Sequence, residues 1–297
     1  MNPATHEFDV EDVEYLRHDG KAYLARLYVP RGPGPFRSVI EVHGGGWCQF
    51  DRTRGASVHE ALARSGVSVM AIDFRLAEEG RYPKSIADLN YAVRWLKANA
   101  ARLKTTPQSV GLSGNSSGAH MAMLAAMRPF DPRYTEIALP GHEELDATVN
   151  CVVMLWPVIN PLGRYHNTLR MLEQPGAPDW CELVVKLHHR YWASEEDMAD
   201  GNPMLMLERG EKVLTPPSMW IQASDDEVHN YKDPHSPFNG PELERFAHNY
   251  RKAGGDIELK VFDAPAMFTT VHPTLPASIA ALGELVRFVH QHIPAPR

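Results

Sequence analysis

The chain predicts an α/β domain: a mostly parallel central sheet with helices on both faces. Three observations predict it. Short β-rich apolar runs recur along all 297 residues, and helical patterns alternate with several of them. The runs are apolar throughout rather than on every second residue, as expected of strands covered on both sides. One long stretch, 160–217, breaks the alternation while carrying apolar residues of its own.

The elements follow in order. Residues 21–29 alternate, with Tyr23, Ala25, Leu27 and Val29 on one face and Ala22, Leu24, Arg26 and Tyr28 on the other, which predicts an early, half-exposed strand. The Arg-Gly-Pro-Gly-Pro run at 31–35 is a turn. Residues 38–42 form a short strand ending at His43, and 67–72 another ending at Asp73. Ile86, Leu89, Ala92, Val93 and Leu96 place a helix over 85–99. A small strand at 109–113 precedes a buried helix at 117–127. Buried strands are expected at 151–156, 218–223 and 257–262, and an amphipathic helix over 279–290 closes the fold. The stretch 160–217, rich in Met, Trp, Tyr and Leu, reads as a helical cap; the alternative is a longer crossover with no part in substrate binding. The expected division is a core of 1–159 and 218–297 with a cap of 160–217.

Composition narrows the partners. Hydrophobic residues make up 43% and charged residues 23%, an ordinary globular mixture, and the net charge is -7. Lys and Arg are scattered, which argues against nucleic acid. Cys48, Cys151 and Cys181 are odd in number and widely spaced, so neither a disulfide framework nor a zinc ribbon is indicated and a reducing cytoplasm fits. The polar, acidic start, Met1 to Asp12, lacks the marks of a signal peptide, and no apolar run is long enough to cross a bilayer. The expectation is a soluble cytoplasmic protein without a membrane partner, with a homodimer left open.

Chemistry enters with Gly114-Asn115-Ser116-Ser117-Gly118, a G-x-S-x-G motif between a strand and a helix. A nucleophile on such a sharp turn needs neighbours without side chains two residues to either side. The turn also sets the hydroxyl at a helix N-terminus, where negative charge is favoured. His43-Gly44-Gly45-Gly46-Trp47 directly follows a strand, and three consecutive glycines can turn backbone N–H groups toward a bound oxygen.

With these two motifs the chain resembles the hormone-sensitive-lipase-like branch of the α/β-hydrolases, which includes carboxylesterases and lies near kynurenine formamidases. Asp73-Phe-Arg-Leu-Ala77, Tyr82-Pro83 and Asp88 resemble the family's stretch between the motifs. Asn115, Ser117 and Glu78 depart from it, standing where an acid, an alanine and a proline are common. The resemblance implies an α/β-hydrolase fold and a triad in the order Ser, acid, His. Ser116 is then the nucleophile, and the N–H groups of Gly45, Gly46 and Ser117 form the oxyanion hole. Asp226 takes the acid position, with Asp225 a weaker candidate. The family's histidine follows the last core strand, and there Ala266 stands between Pro265 and Phe268. Three readings remain: a His→Ala replacement made to trap substrate, His272 as base after a loop shift, or a natural non-catalytic binder.

The implied activity is hydrolysis of small or aromatic carboxylic esters, or of a related amide, formamide or lactone, with no metal or organic cofactor. Fifteen histidines invite a metal reading, but His188 and His189 are adjacent and no H-E-x-x-H occurs. His120 is expected to be a packed residue. Trp47 is the better substrate-pocket candidate; Trp180, Tyr191, Trp192, Met204 and Met206 line a pocket under the cap or simply fill the cap's own core.

Overall fold

At the open edge of the sheet lies a strand that the composition hides. β1 (Phe8–His18) pairs antiparallel with β2 (Lys21–Pro30), and Val13, Tyr15 and Leu16 are buried beneath it. The polar start of the chain is therefore partly strand: its acidic residues face solvent on an edge, where charge guards against stray pairing. The computed structural model describes residues 5–296, so residues 1–4 of that start lie outside the described part.

The elements then run β3 (Arg37–Val42), α1 (Ala56–Arg64), β4 (Val67–Ile72), α2 (Lys84–Ala98), β5 (Val110–Asn115), α3 (Ser117–Met127) and β6 (Val152–Leu155). Four helices follow: α4 (Pro161–Leu172), α5 (Trp180–Tyr191), α6 (Glu195–Asp200) and α7 (Pro203–Glu208). β7 (Ser218–Asp225), α8 (Glu242–Lys252), β8 (Ile257–Pro265), α9 (Phe268–Val271) and α10 (Pro276–His292) complete the chain. The sheet order is β1-β2-β4-β3-β5-β6-β7-β8; β1 and β2 pair antiparallel, and β4 through β8 are parallel.

Successive strand residues feed two separate cores. Ile40, Met70, Met154 and Trp220 face α2 and α3, while Val39, Val69, Val153 and Met219 face α1 and α10. Both faces are covered, which is why these strands read as unbroken apolar runs. Each such side chain contributes roughly 1.5–3 kcal/mol by leaving water. Among the described residues no helix is long and apolar enough to cross a membrane. The three cysteines are buried and unpaired.

The stretch 160–217 is helical, and its α5 lies against the glycine loop that follows β3: a methyl group on Gly46 would meet the Leu187 side chain at 2.6 Å.

Candidate active site

β5 ends at Asn115 and α3 begins at Ser117, so Ser116 alone makes the turn, with φ 51° and ψ -120°. A non-glycine residue there stores on the order of 1–3 kcal/mol of strain. The turn is held because the Ser116 N–H donates to Leu155 O at 2.9 Å and its carbonyl accepts from Val158 N at 3.2 Å. Crowding fixes the flanking glycines. A Cβ on Gly118 would stand 2.1 Å from Val42 O, and one on Gly114 would stand 2.7 Å from the Gly118 carbonyl carbon.

A histidine is in reach of Ser116, and it is His229. Its Nε2 lies 2.9 Å from Ser116 Oγ, while its Nδ1 lies 2.9 Å from both oxygens of Asp226. The carboxylate can only accept, so Nδ1–H donates to it and Nε2 keeps a lone pair facing the serine hydroxyl. His229 and Asp226 are 5% and 2% exposed, dry enough for these bonds to hold against water. One tight turn after β7 builds the pair. Asp226 O accepts from Asn230 N at 2.8 Å, Asp226 Oδ1 accepts from His229 N at 3.1 Å, and the Asn230 side chain donates to the carbonyls of Ala223 and Ser224. Beyond the turn, Tyr231 Oη donates to Asn160 O and accepts from Asn160 N, tying the loop to the segment after β6.

This corrects the expected place of the base. Ala266 follows the end of β8 and has no side chain that could take a proton. His272 is exposed at the end of α9, where its backbone carbonyl accepts from Ser278 Oγ. Neither side chain bonds Ser116. Asp225 is exposed, and the carboxylate that His229 meets is that of Asp226. The overlooked signal was Asp226-Glu-Val-His229, an acid and a histidine three residues apart, which one turn can close. The order Ser, acid, His is kept.

The glycine loop lies beside Ser116. Trp47 N donates to Ser117 Oγ and Gly44 N to Asn115 Oδ1, each at 3.0 Å, so the loop is pinned to the residues on either side of Ser116. Asn115 is itself held, its Nδ2 3.5 Å from Glu41 Oε1, and the buried Glu41 accepts from His59 Nε2 at 3.0 Å. Among the described residues the N–H groups of Gly45 and Gly46 make no hydrogen bond, and that of Ser117, at the first position of α3, has no partner within the helix. His43 stacks on Phe74 with ring centroids 4.4 Å apart and donates from Nδ1 to Gly44 O; burial holds its pKa below the usual histidine value.

Trp47 and Trp192, expected to contact substrate, are 0% and 2% exposed and are taken up by packing. Trp47 stacks on Tyr191 at 5.1 Å and meets Trp192 edge-on. Its Nε1 donates to His120 Nδ1 at 3.2 Å, and His120 Nε2 donates to Gly201 O at 2.7 Å. His120 is thus a packed residue, as the sequence predicts, and burial pushes its pKa down to about 4. These rings seal α5 and the residues after it onto the glycine loop.

Among the described residues one group of side chains brings metal-ligating atoms together. Atoms of His166, Asp233 and His235 lie within 4.8 Å of one another. His166 Nε2 already bonds Glu195, and Asp233 accepts from Arg245 and Asn160. None of the three is hydrogen-bonded to Ser116 or His229.

The sequence model of the BD-FAE family matches residues 26–196. The chain is similar to esterase LipC of Mycobacterium tuberculosis, 30% identical over 203 residues that cover 68% of this chain and 46% of that protein. It is also similar to an ethyl acetate hydrolase of Pseudomonas putida, 29% identical over 54% of this chain and 48% of that protein. The matched stretch thus spans less than half the length of these relatives. Among solved structures, a hyperthermophilic esterase from Pyrobaculum calidifontis matches 98% of this chain and 85% of its own, with a TM-score of 0.73 at 21% identity. The carboxylesterase EstE1, cloned from a metagenomic library, matches 97% and 91%, with a TM-score of 0.74 at 21% identity. Those two likenesses establish the α/β-hydrolase fold, and the sequence match over 26–196 carries the assignment further: the chain belongs to the BD-FAE family.

Proposed function

We propose that the chain is a serine hydrolase of small or aromatic carboxylic esters, with Ser116 as nucleophile, His229 as base and Asp226 as the acid that orients it. The observation that carries this reading is the 2.9 Å approach of His229 Nε2 to Ser116 Oγ. His229 takes the hydroxyl proton as Oγ attacks the ester carbonyl. Negative charge on the carbonyl oxygen is met by the N–H groups of Gly45, Gly46 and Ser117. The proton then passes from Nε2 to the leaving alkoxide, which departs as alcohol and leaves an acyl-Ser116. Water, deprotonated by His229, releases the acid and restores the serine. None of these steps calls on a metal or an organic cofactor.

A complete Ser–His–Asp line supports a reacting enzyme over a non-catalytic binder. It also takes away the reason to read Ala266 as the scar of a removed base. The names of the similar proteins support an ester over an amide, formamide or lactone. In this reading α4 to α7 serve as the cap over the site, supported by the contact of Leu187 with Gly46. Three buried free thiols support a reducing, cytoplasmic setting.

The test is hydrolysis of p-nitrophenyl acetate together with mass spectrometry after exposure to a p-nitrophenyl phosphonate. The reading expects turnover, one phosphonyl adduct on Ser116, and loss of both in Ser116→Ala. Hydrolysis that survives Ser116→Ala unchanged, or an adduct on another residue, contradicts it.

A further inference from the structure

Among the described residues three arginines are buried, and two of them are satisfied. Arg94 bonds Asn90 and the Ile137 carbonyl, and Arg245 meets Glu208, Asp233 and Glu242. Arg164, 3% exposed in the first turn of α4, has no such partner. Among the described residues no carboxylate lies within 4 Å of it, its Nε is sealed without an acceptor, and no side-chain hydrogen bond is made by its terminal nitrogens. Burial lowers its pKa to about 10, which still leaves it fully charged at neutral pH. A buried cation without a bound counter-ion is costly, which marks Arg164 as a place where an anion would be held.

Its place points to the anion. α4 follows directly on the segment that holds the nucleophile, for Val158 N donates to Ser116 O and Arg164 N donates to Asn160 O one turn later. The charged group that acts on Arg164 is Asp226, on the loop that carries His229; Tyr231 of the same loop stays a neutral phenol, its pKa pushed up by burial. His188, whose ring stacks on Tyr165 and meets Trp47 edge-on, also feels the Arg164 charge. His188 is held neutral, donates from Nδ1 to Val184 O and leaves Nε2 without a partner. Asp226 spends both carboxylate oxygens on His229 and is not bonded to Arg164, so the guanidinium is left free to bind another carboxylate.

We propose that Arg164 binds a carboxylate on the substrate: the esters this site takes carry a free carboxyl group, which docks on the guanidinium fork while the ester carbonyl reaches Ser116. The proposal rests on the reading of Ser116 and His229 as a hydrolytic pair. A guanidinium presents two parallel donors that match the two oxygens of a carboxylate.

Two substrate pairs test it and separate the two ends of the ester. p-Nitrophenyl hydrogen glutarate against p-nitrophenyl pentanoate places the charge on the acyl side. 4-Acetoxybenzoate against its methyl ester places it on the leaving group. Wild type and Arg164→Met are compared on all four. The expected result is a fall of about tenfold to a hundredfold in kcat/KM, mostly through KM, for the acidic member of one pair, with both neutral members within threefold. Free glutarate or 4-hydroxybenzoate, the acid product of the affected pair, should inhibit wild type competitively and raise its Tm, and do neither in the variant. An equal fall on acidic and neutral esters with a shifted pH profile overturns the proposal, since Arg164 then acts only through Asp226. Unchanged kinetics on all four also overturn it. Hydrolysis of the neutral esters that persists in Ser116→Ala counts against the hydrolytic pair instead, and so is told apart from a failure of Arg164.

Discussion

In the proposed site the nucleophile and its glycine loop come from β3 and β5 at the middle of the sheet, whereas the acid and the base both come from one turn after β7. The two sides differ in how freely they can be rebuilt. On the first side every atom is crowded: Gly118 faces the Val42 carbonyl, Gly44 is held by Asn115, and Trp47 N is bonded to Ser117. Moving one part would break the turn that exposes Ser116. On the second side only one point is fixed, the position from which an imidazole nitrogen can reach Ser116 Oγ. The turn of 226–230 meets that condition by folding His229 back over Asp226, and the loop after β8 is left with alanine at 266. Catalysis constrains atoms in space, not the strand that delivers them.

Several outcomes break or sharpen this contrast. The largest after loss of Ser116 or His229 is expected for Asp226→Asn. The amide cannot hold Nδ1–H in the working tautomer, and kcat should fall on the order of 10⁴-fold in steady-state assays. On the crowded side, Asn115→Ala releases the Gly44 N–H and lets the loop drift, so kcat should fall on the order of tenfold to a hundredfold with KM little changed. A fall of less than twofold there would show that the loop holds its shape without this anchor. The smallest effect is expected for Ala266→His, since the serine already has its base: kcat/KM should stay within about threefold, and a large gain would return the base to the position after β8.

Stability offers a separate check on the aromatic seal. Burial lowers the pKa of His120 to about 4 and, with Arg164 nearby, that of His188 to about 3. The unfolded chain binds protons on both near pH 6.5, so between pH 6.5 and about 4 it holds more protons than the folded chain. Folding stability therefore falls as pH drops through that window, by about 2 kcal/mol per histidine at pH 5. Urea midpoints at pH 7.5 and pH 5 read this directly, and His188→Gln should remove about half of the difference.

Where the signal was local, the sequence pointed to residues that the structure brings together. Ser116, Gly45, Gly46 and Ser117 lie in short motifs whose strand and helix context can be read around them. Asp226 follows from its place after a buried strand. His229 was hidden because the family likeness looks for its histidine after the last strand, and Asp-Glu-Val-His reads as a solvated acidic turn until the turn is seen to close. β1 was hidden because an edge strand bears charge on its open face, so Glu11, Asp12 and Glu14 masked the buried Val13 and Tyr15. Trp47 and Trp192 were read as pocket walls because a sequence shows that a ring is apolar but not what covers it. Arg164 could not stand out among the scattered cations, for its significance is that it is buried alone.

The most direct test of the relocated base is kcat/KM for p-nitrophenyl acetate in His229→Ala and, in parallel, His272→Ala. The account predicts a loss of at least about 10³-fold in the first and less than about twofold in the second. An active His229→Ala enzyme, or a loss of that size in His272→Ala, would contradict it.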